Sequence, residues 1–164
     1  MEYLLLTSLI IYLIYNTFAL CIFKFPVSLS DTHYLFIGRN KKLNWIFTIM
    51  LWLVAFPILI FGLEYTPEPY KFILFITAAA LMFVGAAPFF KDSKLEYMVH
   101  CVSAMTCSIS SILWGFLVGD FIVAIVSALL IGMFYISKDN VRVYLMETVL
   151  FISMYLQLYI TFIM

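Results

Sequence analysis

The sequence predicts an all-α integral membrane protein, a single domain over residues 1–164 built as one bundle of six transmembrane helices. Three observations predict it. The chain is 66% hydrophobic and only 11% charged, where a soluble domain carries about a quarter charged residues. Its mean hydropathy is +1.12. Apolar runs follow one another with short polar breaks, and a run of roughly 20 residues is what a helix needs to cross a hydrocarbon core. Lipid offers no partner to unpaired backbone, which excludes open strands, and the runs are too long and too evenly apolar for barrel strands.

The spans fall at about 2–23, 44–63, 72–90, 97–117, 120–137 and 144–163. The first lacks the basic leading region and the small-residue cleavage site of a signal peptide, so it reads as a retained helix. Pro57 sits in the middle of the second span and should kink it by deleting a backbone bond. The third carries small residues at Ala78, Ala79, Ala80, Gly85, Ala86 and Ala87 that permit close helix contact. The "TPEP" stretch at 66–69 makes the second break a tight turn, and Asp120 in "VGDF" is placed to cap the fifth span.

Orientation follows from charge. Eight of the nine cations lie in the breaks after spans one, three and five, and Lys71 alone lies on the other side. Basic loops stay cytoplasmic. Both termini are therefore expected away from the cytoplasm, with loops 24–43, 91–96 and 138–143 inside. Two of these breaks share a pattern, "KDSKLEY" and "KDNVRVY", 47 residues apart. Lysine snorkelling, a polar cap and an interfacial tyrosine account for it.

The first break, 24–43, is far longer than a turn needs. It mixes Val27, Leu29, Tyr34, Leu35, Phe36 and Ile37 with Ser28, Ser30, Asp31 and His33. Such a segment should lie along the interface or fold back between helices. Asp31 is placed to cap a short helix there, which Gly38-Arg39-Asn40 would end.

Net charge is zero and no basic face is long enough to track phosphates, so no nucleic-acid partner is expected. Cys21, Cys101 and Cys107 lie in apolar runs and form no CxxC pair, which makes them buried free thiols.

Candidate chemistry gathers on the fourth span. Asp92, Glu96, His100, Ser103, Cys107 and Ser111 step by three or four residues and so share one helical face. A polar stripe in a membrane helix faces protein or water, which turns this face into the bundle. Packing of small residues is the favoured explanation of the serines, and Ser93-x-x-Glu96 reads as a capping box before any catalytic role for Glu96. Glu96 could also pair with His100, four residues on, and fix its tautomer; a structural histidine near an interface is the plainer reading.

Asp31, His33 and Glu147 are expected at the same depth on the same side. Glu147, one turn into the sixth span, is an intramembrane carboxylate that asks for a partner: Arg142, Lys138 or His100. Two histidines and a carboxylate can bind a metal, but no HxxxH or HExxH spacing exists, so no metal and no cofactor are expected. Gln157 in the same span is expected to make an interhelical hydrogen bond.

At "GAAPFFKDSKLEYMVHCVSA" the chain resembles the DRAM/Sfk-type six-helix membrane proteins and their bacterial relatives of unknown function. The matching positions are Gly85, Pro88, Asp92, His100 and Ala104, with "SLSDT" at 28–32 similar to a Ser-Asp motif after the first helix. The resemblance covers about 30 residues and implies six helices and a link to membrane lipid. Alkaline ceramidases, a more distant comparison, use three histidines around zinc, and this chain has two in all.

The expectation is a small membrane protein that binds a lipid headgroup or a partner, such as another membrane protein or a second copy. The ligand-binding candidates are His100, Ser103, Asp31, His33 and Glu147. The alternatives are a lipid-active hydrolase or transferase using His100 and His33 with Asp31 or Glu96, and a small-solute carrier or its substrate-binding membrane subunit. A carrier would show a broken helix or mid-depth charges, and Pro57 is its only hint.

Overall fold

The computed structural model describes residues 2–164 and is helical throughout, with no strand among them. The helices are α1 (Glu2–Phe23), α2 (Thr32–Arg39), α3 (Ile46–Tyr65), α4 (Glu68–Ala86), α5 (Lys94–Leu117), α6 (Phe121–Ile136) and α7 (Arg142–Phe162), with a short 3₁₀ turn at Lys41–Leu43 before α3. Five of them, α1, α3, α4, α5 and α7, are long and apolar enough to cross a membrane. At 16 residues, α6 is apolar but spans only about 24 Å at 1.5 Å per residue, short of a core about 30 Å thick.

The helix ends explain where the sequence reading shifts. α4 starts at Glu68 rather than near 72, because Pro67 and Pro69 fit a first turn whose N–H groups have no intrahelical partner. It stops at Ala86 rather than near 90. Pro88 disfavours helical geometry at the residue before it, and Ala87 sits at φ −116°, ψ 60°. α5 begins at Lys94, not 97, with Ser93 as its cap. Asp120 Oδ1 accepts from the Val123 N–H at 2.8 Å and starts α6, as expected. α3 continues through Pro57 as one helix, so the carrier-like break does not occur.

Each long helix turns a stripe inward. On α1 the buried residues are Leu5, Ser8, Tyr12, Tyr15, Asn16 and Ala19, spaced to fall on one side. Neighbouring helices are clipped by polar side chains. Ser8 Oγ donates to the Val54 carbonyl and meets Tyr155 Oη, and Tyr144 Oη donates to Asn16 Oδ1 at 2.9 Å. Thr48 donates to the Gly85 carbonyl and Trp52 Nε1 to the Met82 carbonyl, binding α3 to α4. Gly85 allows that contact, since a Cβ there would stand 3.2 Å from Leu51 Cβ and the Trp52 ring. The small-residue stripe is only partly interior: Ala78, Ala80, Gly85 and Ala87 are buried, while Ala86 is exposed.

Residues 24–43 form the plug of the bundle. Lys24 takes a left-handed conformation (φ 60°) that ends α1 and reverses the chain. The segment then folds back under the helices and buries Leu29, Ser30, Thr32, His33 and Phe36. Thr32 bonds Tyr15 Oη on α1, and the Val27 carbonyl accepts from the Tyr144 N–H at the start of α7. α5 also begins at the plug, through His100, and ends beside the C-terminal part of α7, where the Trp114 and Phe162 rings are 6.1 Å apart.

Candidate functional site

The site is built where the plug meets α5 and α7. Asp31 precedes α2 at its N-cap position but makes no capping bond with its side chain. The Asp31 N–H is instead satisfied by Ser28, which frees the carboxylate to pair with Lys91 Nζ at 2.5 Å. Lys91 also lies 5.0 Å from the centre of the Tyr34 ring, while Tyr34 Oη accepts from the Lys91 N–H and donates to Asp92. A cationic clasp thus ties the plug to the loop between α4 and α5.

His100 is buried and fully partnered. Its Nδ1 is 3.0 Å from the Ala87 carbonyl oxygen and its Nε2 is 2.9 Å from Ser30 Oγ. Phe90 stacks on the ring at a centroid distance of 4.4 Å. The expected Glu96–His100 pair does not form. Glu96 reaches back to the Phe89 N–H at 2.9 Å, while its own N–H meets Ser93 Oγ at 3.4 Å. The capping box is therefore half made: Ser93 caps α5, and Glu96 closes the preceding turn instead.

Glu147 takes none of its three expected partners. Its Oε2 accepts from the Leu29 N–H at 2.5 Å. The physical reason is local: the Leu29 N–H precedes the first turn of the plug helix and needs an acceptor, which the carboxylate on α7 supplies. His33 is 1% exposed, and both of its ring nitrogens lack partners. Phe89 and Tyr34 meet it edge-on at 4.8 and 5.3 Å. Burial pushes its pKa below the usual histidine value, so it stays neutral at pH 7.

Beneath the plug lies a cavity of about 80 Å³ walled by α3, α4, α5 and α7. Leu51, Leu81, Ala104, Leu150 and Met154 are typical of its walls, and Ser30 and Glu147 border it on the plug side. Of the expected site residues only Glu147 lines it. His100 touches it through Ser30, and Asp31, His33, Glu96 and Ser103 are not among its lining residues. Ser103 is half-buried on α5. No three His, Cys, Asp or Glu side chains come together as metal ligands among the described residues. A second, larger hollow of about 500 Å³ opens between α1 and α7 near the termini, walled largely by leucine, isoleucine and tyrosine side chains.

Two features escaped the sequence reading. Ser30 is the hydroxyl that meets His100; it stands in the "SLSDT" motif, where attention falls on the aspartate. Gly115 and Gly119, a small-xxx-small pair, accommodate Gln157. A Cβ at either would come within 2.3 Å of the Gln157 amide oxygen. Gln157 makes no interhelical hydrogen bond through that oxygen, which is buried without a partner.

No protein-family model, curated protein or solved structure matches this chain.

Proposed function

We propose that this chain is a six-pass membrane protein that binds an amphipathic lipid in the cavity beneath its plug. The lipid's apolar chain would lie among α3, α4, α5 and α7, with its polar end at Ser30 and Glu147. One observation carries the reading: a largely apolar, partly open cavity, with Thr77, Ser108 and Ser111 among its walls, borders a serine hydroxyl and a carboxylate on its plug side. Mostly apolar walls with a few placed polar groups are the lining of ligand sites; at about 80 Å³ the cavity holds a few methylene groups, and the rest of the chain would leave between the helices.

The sixth pass is supported by connectivity. α5 and α7 both start at the plug, which favours a return of the segment 118–141, containing α6, across the bundle. Residues outside the regular helix make up the length that α6 lacks. The plug end collects Lys24, Arg39, Lys41, Lys42, Lys91, Lys94, Lys138 and Arg142, which favours a cytoplasmic plug and non-cytoplasmic termini. The kinship with DRAM/Sfk-type proteins stays part of this proposal and rests on Gly85, Pro88, Asp92, His100 and Ala104.

The test is photo-cross-linking of the full chain in nanodiscs with a diazirine-bearing phospholipid, followed by peptide mapping. Adducts are expected on Leu51, Leu81, Leu150 or Met154. Ala104→Leu, which fills the cavity, should remove them. Adducts confined to outward residues such as Leu95, Val102 and Ile109, alike in both proteins, would overturn the reading.

A further inference from the structure

The bond between Ser30 and His100 has a direction. The Ala87 oxygen is a carbonyl and only accepts, so His100 Nδ1 carries the proton and donates it there. Nε2 of the neutral ring then presents its lone pair to the Ser30 hydroxyl, 2.9 Å away. A hydroxyl donating to an imidazole whose other nitrogen is held by a third group is the arrangement of an activated nucleophile. Both groups are buried, Ser30 at 4% and His100 at 6% exposure, and Ser30 borders the cavity. The ring is held from a second side by the stacked Phe90.

We propose that Ser30 and His100 are the nucleophile and general base of an acyl transfer on a carboxylic-ester lipid, an inference that rests on lipid binding in this cavity. Ser30 Oγ bonds to the ester carbon while its proton passes to His100 Nε2, and the carbonyl π pair moves onto its oxygen. Collapse of the tetrahedral adduct breaks the ester C–O bond, and the leaving alcohol takes the proton from Nε2. Water then attacks the acyl-serine by the same route, releasing a carboxylic acid and restoring the hydroxyl. A carbonyl holds the ring without supplying the full negative charge of a carboxylate, so turnover should be slow.

The test is labelling of the full chain in nanodiscs with a long-chain alkyl fluorophosphonate, whose phosphorus is attacked by an activated serine with loss of fluoride. One adduct per chain is expected, mapped to Ser30. In His100→Gln, whose amide still reaches Ser30 but is not basic, labelling should fall at least about 100-fold, the low end of general-base contributions, with the thermal midpoint nearly unchanged. Ser30→Ala should label at no site. Absence of an adduct at Ser30 in the native chain, or equal labelling in His100→Gln, would overturn the proposal. The photo-cross-linking experiment separates the two ideas. Cross-links without a serine adduct remove the catalytic pair and leave lipid binding standing, whereas a Ser30 adduct without cross-links keeps Ser30 as an activated serine but overturns its action on a lipid held in this cavity.

Discussion

The Glu147 carboxylate on α7 accepts a hydrogen bond from the Leu29 backbone N–H, 118 residues earlier in the chain. Together with the Val27–Tyr144 backbone bond, it fixes the plug to the sixth predicted span. Leu29 is itself buried, so removing the acceptor leaves a buried N–H unpaired, at about 1–3 kcal/mol. Glu147→Leu should lower the thermal midpoint in detergent and speed amide exchange across 27–33. Glu147→Gln keeps an acceptor oxygen and should recover most of the loss. Equal loss in both variants would mean that the charge, not the bond, matters.

The Asp31–Lys91 ion pair should count for less. The Lys91 side chain is 50% exposed and that of Asp31 14%. Water screens such a pair, whose worth is roughly 0–1 kcal/mol. Lys91→Ala is expected to shift the midpoint less than Glu147→Leu, and raising salt should erode the difference between Lys91→Ala and the native chain.

Gly115 and Gln157 should behave as a coupled pair. A Cβ at Gly115 would lie 2.3 Å from the Gln157 amide, so Gly115→Ala must push that side chain off its seat, with overpacking costs of about 1–3 kcal/mol. Gln157→Ala makes room. The double variant should be more stable than Gly115→Ala alone, and a thermal double-mutant cycle giving additive effects would refute the coupling.

The helical class was legible because it rests on composition and run length, which need no partner to read. The polar face of α5 was legible in part: His100 and Ser111 are buried at the predicted spacing while Val102, Met105 and Ile109 are exposed, but Glu96, Ser103 and Cys107 are only half-buried and Asp92 is exposed before the helix begins. Partner choice was not. Glu96 and His100 are four residues apart and could meet, yet each finds a backbone group supplied by the turn at 87–89. Periodicity describes one helix at a time, whereas the position of Ser30 depends on a loop that refolds under three others. The length and mixed polarity of 24–43 signalled that refolding without saying which residue would meet the histidine.

His33 should make the plug sensitive to acid. Its pKa is lowered by burial, so the folded chain binds the proton less readily than the unfolded chain, where the value is about 6.5. Above that value both forms are neutral and His33 costs nothing by titration. As pH falls below it, the unfolded form takes up the proton first and the fold loses stability, until the lowered folded value is passed. His33→Phe removes this slope, and it removes two buried nitrogens that have no partners. The variant should match or exceed the native midpoint at pH 7.5 and exceed it by more at pH 5. A constant difference between the two pH values would exclude His33 as the group responsible.

Topology can be read with two engineered thiols in a background where Cys21, Cys101 and Cys107 are alanine. Lys41 and Glu68 are both exposed, and they flank α3 at opposite ends. With the plug end cytoplasmic, an impermeant maleimide added to intact cells should label Glu68→Cys and spare Lys41→Cys until the membrane is opened. A third thiol at Asp139→Cys, exposed beyond α6, decides the sixth pass. If α6 crosses, Asp139→Cys behaves like Lys41→Cys; if α6 lies on the far surface, it labels from outside with Glu68→Cys. The second pattern would also put Lys138 and Arg142 outside, and the charge asymmetry that orients the bundle would weaken with them.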